Sequence, residues 1–174
     1  MNIYLVGMMG TGKSTIGHAI ASTLQVPFID LDTVIETQEA MKISDIFDLR
    51  GEPYFRMLET SALRNTGLVG NQPTILSVVA TGGGAFEKEE NRNIMESYGY
   101  TVWLQTDIDE IAHRLASDTT RPLLREENFA SLRSRLQEIF NKRKDNYSLA
   151  SVHVNTDGKS IEQIVAEIIE ATKK

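Results

Sequence analysis

Gly7-Met8-Met9-Gly10-Thr11-Gly12-Lys13-Ser14-Thr15 is the stretch on which the fold of this chain turns. Glycine, four residues, glycine, lysine and then serine or threonine is the phosphate-loop pattern, in which backbone N–H groups turn inward around a polyphosphate. Here it follows the apolar run Ile3-Tyr4-Leu5-Val6 and precedes Ile16, Ala19, Ile20 and Leu24 at spacings of three and four. The order is strand, loop, helix, so a bound anion faces the unpaired amides and the positive end of the helix dipole. Glycines are needed because the backbone must approach oxygen closely, where β-carbons would obstruct. On this reading Gly10, Thr11, Gly12, Lys13, Ser14 and Thr15 bind a nucleotide triphosphate. Lys13 bridges the β and γ phosphates, and the Ser14 hydroxyl ligates Mg²⁺.

Outward from the loop, apolar runs alternate with helical periodicities. Val26-Pro27-Phe28-Ile29, Thr74-Ile75-Leu76-Ser77-Val78-Val79, Tyr100-Thr101-Val102-Trp103-Leu104 and Ser151-Val152-His153-Val154 complete a predicted set of five strands, mostly parallel. Ile161, Ile164, Val165, Ile168 and Ile169 mark the last helix. Gly51 and Gly67 read as helix stops, Asp107 and Ser160 as helix starts. This is a doubly wound α/β pattern in a single domain. Two places break the rhythm. More than forty residues separate strands two and three, too many for one crossover, which predicts an inserted subdomain over about residues 31–66. The polar stretch between residues 117 and 128, interrupted by Pro122, reads as a flap.

With 24 acidic against 18 basic side chains the formal charge is −6, which speaks against nucleic acid or an anionic membrane as a partner. No run is long and apolar enough for a leader or a span, so the expected location is the cytoplasm. The absence of cysteine excludes a disulfide scaffold, a thiolate metal site and a cysteine nucleophile.

A phosphate loop does not say what is done with the nucleotide; three further constellations bear on that. Strand two ends Phe28-Ile29-Asp30-Leu31-Asp32, which puts two carboxylates beside the loop if that strand neighbours the first. Strand three ends in Thr81-Gly82 without an acid, so Asp30 is the residue for Mg²⁺. Asp32 starts the next helix; it is either its N-cap or a base or orienter for an acceptor hydroxyl. Gly82, Gly83 and Gly84 follow strand three at the edge where open α/β sheets bind ligands, permitting a second close backbone approach, to the acceptor. Arg143 falls on the apolar stripe Phe129, Leu132, Leu136, Phe140 and Tyr147, and an inward guanidinium needs an anion. Arg56 has Glu59 at i+3 to hold it. Two arginines converging from separate segments suit a carboxylate by their fork geometry, although the pair alone does not separate carboxylate from phosphate. Arg121 in the flap can swing onto the transferring phosphoryl group. His18, His113 and His153 share no metal-ligand spacing and read as surface or core residues.

In their order and spacing these segments resemble the shikimate kinase family. The resemblance rests on GMMGTGKST (7–15), FIDLD (28–32), ISDIFDLRGEPYFRMLE (43–59), TGGGA (81–85), TTRPLL (119–124) and KRKDNY (142–147), and covers nearly the whole chain. It implies a three-layer, adenylate-kinase-like phosphate-loop fold with a five-stranded parallel sheet, an acceptor-binding insertion and a lid over about residues 117–127. It implies transfer of the γ-phosphoryl group of ATP to the 3-hydroxyl of shikimate with Mg²⁺, by a monomer. By the same resemblance Asp32, Arg56, Gly82, Gly83, Gly84 and Arg143 contact shikimate, Lys13, Ser14 and Asp30 serve the phosphates and magnesium, Arg121 is the lid arginine, and Arg114 stacks on the base. Lys13, Asp32 and Arg121 are the catalytic set. The chain departs from the family at Ala40-Met41-Lys42, where many members carry Thr-Gly, and after the last strand, where Asn155 to Ser160 lack the arginine or proline often found near adenine.

Two rival functions compete with this one. Asp48-Leu49-Arg50-Gly51 matches the DxxG pattern of a GTP-driven switch, but it lies in helical periodicity, not at a strand end. A kinase for another anionic acceptor, such as gluconate or a nucleoside monophosphate, is the closer competitor.

Overall fold

The computed structural model describes residues 1–67, 77–117 and 128–173. Five parallel strands, β1 (Asn2–Val6), β2 (Phe28–Asp30), β3 (Val78–Ala80), β4 (Gly99–Gln105) and β5 (Val152–Asn155), form one sheet in the order β2-β3-β1-β4-β5. Each predicted strand is found. Residues 74–76 of the third lie outside the described residues. The sheet order settles a point left conditional: β3, not β2, pairs with β1, through Ile3 and Val78, Tyr4 and Val79, Leu5 and Ala80. β2 pairs with the far side of β3.

Side chains alternate across the strands. Ile3 and Leu5 join Val78, Val102, Leu104 and Val154 on one face, covered by α1 (Lys13–Leu24) and α7 (Ile161–Ala171) through Ile16, Ile20, Ile164, Val165 and Ile168. Tyr4, Val6, Val79 and Trp103 point to the other face. There α2 (Leu31–Glu39), α3 (Ile43–Thr66), α4 (Glu89–Tyr98), α5 (Ile108–Ser117) and α6 (Phe129–Tyr147) supply the rest of the core. Helices on both faces leave the central strands wholly buried, which is why their sequences read as continuous apolar runs. Among the described residues no helix is long and apolar enough to cross a membrane.

The helix boundaries follow the caps. Asp107 accepts from the Asp109 amide at the start of α5. Ser160 closes a capping box with Gln163 at the start of α7. The insertion consists of α2 and α3, and α3 is broken at Gly51, whose φ of 80° and ψ of 166° are not helical. Gly51 therefore does stop a helix, but a second begins at once, with Pro53 in its first turn, where a missing N–H costs nothing. Gly67 caps the far end.

Candidate active site

Parallel strands present all their carboxyl ends along one edge, and the cleft of about 730 Å³ lies there. Small-molecule sites run from about 300 to 1,000 Å³, so this one is at the roomy end. Gly10 (φ 79°) and Gly12 (φ 89°) take the left-handed conformations that turn the loop's amides, and Gly12 caps α1. Thr11 is buried and donates to the Met8 carbonyl (2.9 Å), bracing the loop from within. Lys13 Nζ donates to the carbonyls of Gly7 (2.9 Å) and Met8 (2.7 Å), which keeps its ammonium at the loop's mouth. Thr15 borders the cleft from the exposed side of α1.

Of the two alternatives open for Asp32, the cap falls to Asp30 instead. Asp30 is the N-cap of α2, its Oδ1 accepting from the amides of Asp32 (3.1 Å) and Thr33 (3.3 Å). Its Oδ2 accepts from Ser14 Oγ at 2.7 Å. Two oxygen donors of the hard type Mg²⁺ takes thus meet beside the phosphate loop, so the residues fit that ion. The contact forms although β2 does not neighbour β1, since α1 packs over β3 and touches β2. Asp32 is not the cap. It sits in the first turn of α2, half-buried, and its side chain borders the cleft.

The glycine triplet packs against Asp32, Glu59 and Arg56. A Cβ on Gly82 would stand 2.6 Å from Glu59 Oε1 and 3.1 Å from Asp32 Oδ1. One on Gly84 would stand 2.7 Å from Arg56 Nη2 and 2.8 Å from Nη1. Only a residue without a side chain lets the backbone lie so close to both carboxylates and the guanidinium. Arg56 is held from both sides by its own helix, to Glu59 at 2.6 Å and to Glu52 at 2.9 Å. Glu59 is fully buried, and burial pushes its carboxyl up from the ordinary value against the pull of Arg56. Burial lowers Arg56, but the bonds to Glu59 and Glu52 outweigh it and hold the guanidinium charged. Arg143 reaches in from α6 and donates through Nη1 to the Gly83 carbonyl at 3.0 Å. Ile43, Phe47 and Phe55 give this end of the cleft an apolar wall.

At the other end lie Arg114, Thr156, Lys159, Ile161 and Ile164. Arg114 bonds Glu110 (2.9 Å) and the Gly10 carbonyl (3.3 Å), so it is tied to the phosphate loop. Of the residues expected at the site, Gly10 to Thr15, Asp30, Asp32, Arg56, Gly82 to Gly84, Arg114 and Arg143 all border this one cleft. Arg121 and the flap lie outside the described residues. Asp48 to Gly51 lie in the first half of α3, not at a strand end, so the switch pattern is not placed to read a nucleotide. The three histidines pack on aromatic rings, His18 on Phe28, His113 on Phe129 and His153 on Trp103. Sequence reasoning treated Glu59 only as a brace for Arg56, and Tyr147 only as an apolar contact. Glu59 in fact borders the cleft, and the Tyr147 hydroxyl bonds Gly83. The signal for the first was its i+3 spacing from Arg56, and for the second its i+4 spacing from Arg143.

Comparison with known proteins gives a consistent family. The family model described as shikimate kinase matches residues 9–173. A shikimate kinase of Sulfurihydrogenibium is 41% identical over 99% of this chain and 98% of its own. The crystal structure of a Bacteroides thetaiotaomicron shikimate kinase superposes with a TM-score of 0.88 at 34% identity, covering 98% of this chain and 97% of that one. The Acinetobacter baumannii shikimate kinase, solved in complex with shikimate, gives 0.84 at 34% identity over 97% and 90%.

Proposed function

Because the chain belongs to the shikimate kinase family, we propose that its cleft brings the γ-phosphoryl group of ATP, at the phosphate loop, against the 3-hydroxyl of shikimate, at the glycine triplet. The enzyme is an ATP-dependent kinase acting on a hydroxyl group of shikimate. The observation that carries the residue assignment is the crowding of Asp32, Arg56 and Arg143 around Gly82, Gly83 and Gly84, within the same cleft as Lys13.

Arg56 and Arg143 take the acceptor's carboxylate, for which two guanidinium forks converging on one small anion are well matched. Asp32 faces the reacting hydroxyl and orients it or takes its proton. Lys13 turns from the Gly7 and Met8 carbonyls to the β and γ phosphates, and the amides of the phosphate loop receive the remaining charge. Ser14 and Asp30 would hold Mg²⁺, which would supply charge neutralisation to the phosphates. The base lies between Arg114 and the stretch from Thr156 to Ile161, and Arg121, by family resemblance, meets the phosphoryl group in transfer.

The direct test is ADP release coupled to a reporter, with shikimate, gluconate and a nucleoside monophosphate offered in turn as sole acceptor. Turnover with shikimate and none above background with the other two is expected. Equal or better turnover with a nucleoside monophosphate would mean that the arginine pair takes a phosphate.

A further inference from the structure

We propose that Tyr147 is a positioning residue for the acceptor: its hydroxyl and Arg143 together grip the carbonyl of Gly83, and so aim both the guanidinium and the glycine-triplet backbone at the acid group. This rests on the reading that Arg143 and the triplet meet the acceptor's carboxylate.

Tyr147 and Arg143 are one helical turn apart on α6, so their side chains share a face. Both donate to the same oxygen, Tyr147 Oη at 2.5 Å and Arg143 Nη1 at 3.0 Å. A carbonyl has two acceptor positions, and here both are taken by α6. The Tyr147 ring is wholly buried and stacks on Trp103 at 5.8 Å, so its hydroxyl is delivered by the core and not by a mobile surface chain. Burial pushes the phenol up to about 12, so it remains a donor at any working pH. Arg143 spends Nη1 on this carbonyl and borders the cleft, which places its guanidinium at the space an anion would occupy.

The grip reaches further than Arg143. A trans peptide is planar, with its N–H opposite its C=O. Holding the Gly83 carbonyl toward α6 therefore also fixes the direction in which the Gly84 amide is offered. Gly83 lies against the phosphate loop as well, since a Cβ there would stand 3.3 Å from the Met9 nitrogen and 3.6 Å from the Gly7 carbonyl. The hydroxyl thus locks the acceptor's anchor at a set distance from the donor phosphates.

The test is Y147F, in which phenylalanine fills the same packing and only the hydroxyl is lost. Folding is read in the same samples from the emission of Trp103, the chain's one tryptophan. KM for shikimate should rise about 3- to 10-fold, the range expected when one hydrogen bond is lost from a binding site, with KM for ATP unchanged within about 2-fold. On an R143A background the same substitution should add less than about 2-fold, because its effect passes through the shared carbonyl. A native-like KM for shikimate in folded Y147F, or an equal rise in both KM values, overturns the assignment. A full independent effect on R143A also overturns it. R143A alone leaving KM for shikimate unchanged would instead sink the reading of the acceptor end, whatever Y147F does.

Discussion

Gly84→Ala isolates the acceptor end of the cleft from everything else. Gly84 has φ −104° and ψ −5°, a right-handed, negative-φ conformation that alanine adopts freely, so the backbone does not oppose the change. The new methyl would stand 2.7, 2.8 and 2.9 Å from Nη2, Nη1 and Cζ of Arg56. Ordinary contact begins near 3.4 Å, so the guanidinium must retreat by about 0.7 Å. The far end of an arginine usually yields cheaply. This one does not, because Glu59 holds one edge at 2.6 Å and Glu52 the other at 2.9 Å, and Glu59 is wholly buried. Retreat spoils at least one charge-assisted bond, a loss of about 1.5–3 kcal/mol. Carried into acceptor binding, that is about 10- to 150-fold in KM. Initial rates with shikimate varied at saturating ATP, and the reverse, should show this rise in KM for shikimate alone. Because the bond is lost in the free enzyme as well, the melting temperature should fall by about 3–12 °C. A normal KM for shikimate would show that Arg56 does not act from the position seen here. A matched rise for ATP would show that the triplet serves the nucleotide.

Three further outcomes are expected. Asp32→Asn should lower kcat by ~10²-fold or more with both KM values nearly intact, since an amide can still hold the hydroxyl but cannot take its proton; near-native turnover in stopped-flow or steady state would leave Asp32 without a chemical role. Ala40 ends α2 in the left-handed region at φ 50°, so Ala40→Gly should stabilise the fold by about 1 kcal/mol in urea unfolding, and a loss of stability would contradict that backbone geometry. Glu59 has a folded-state pKa raised by burial, so its contribution to stability is greatest below its unfolded value near 4.5 and falls as pH rises through the folded one. Melting curves of E59Q should therefore gain on the native protein as pH is raised from 4.5 to neutrality, and a gap that narrows would reverse the sign assigned to this carboxyl.

The phosphate loop was legible because all its requirements are local. The strand, the two left-handed glycines and the helix start lie within fifteen residues, and each has its own sequence mark. Arg143 was legible for a similar reason, as a charge on the stripe that otherwise buries Leu132, Leu136 and Tyr147. The sheet order was not. Whether β2 lies beside β1 or beyond β3 depends on how long crossovers pack, and nothing in Phe28-Ile29-Asp30 encodes its neighbour. That Asp30, not Asp32, caps α2 turned on where that helix starts, a matter of two residues that periodicity does not resolve. Tyr147 was hidden by its own ring: an aromatic at a core position reads as packing, and only the fold shows that its oxygen ends on Gly83. Ala40 carried no mark at all, because alanine gives no warning of a left-handed backbone.

The break at Gly51 has a practical outcome for redesign. It starts a fresh helix in which Glu52, Arg56 and Glu59 fall within about two turns, so the cation, both counter-charges and their mutual bracing are written in one short contiguous cassette. On the proposed assignment, exchanging those eight residues should change which small molecule is admitted while the phosphate loop, on a separate segment, keeps its sequence.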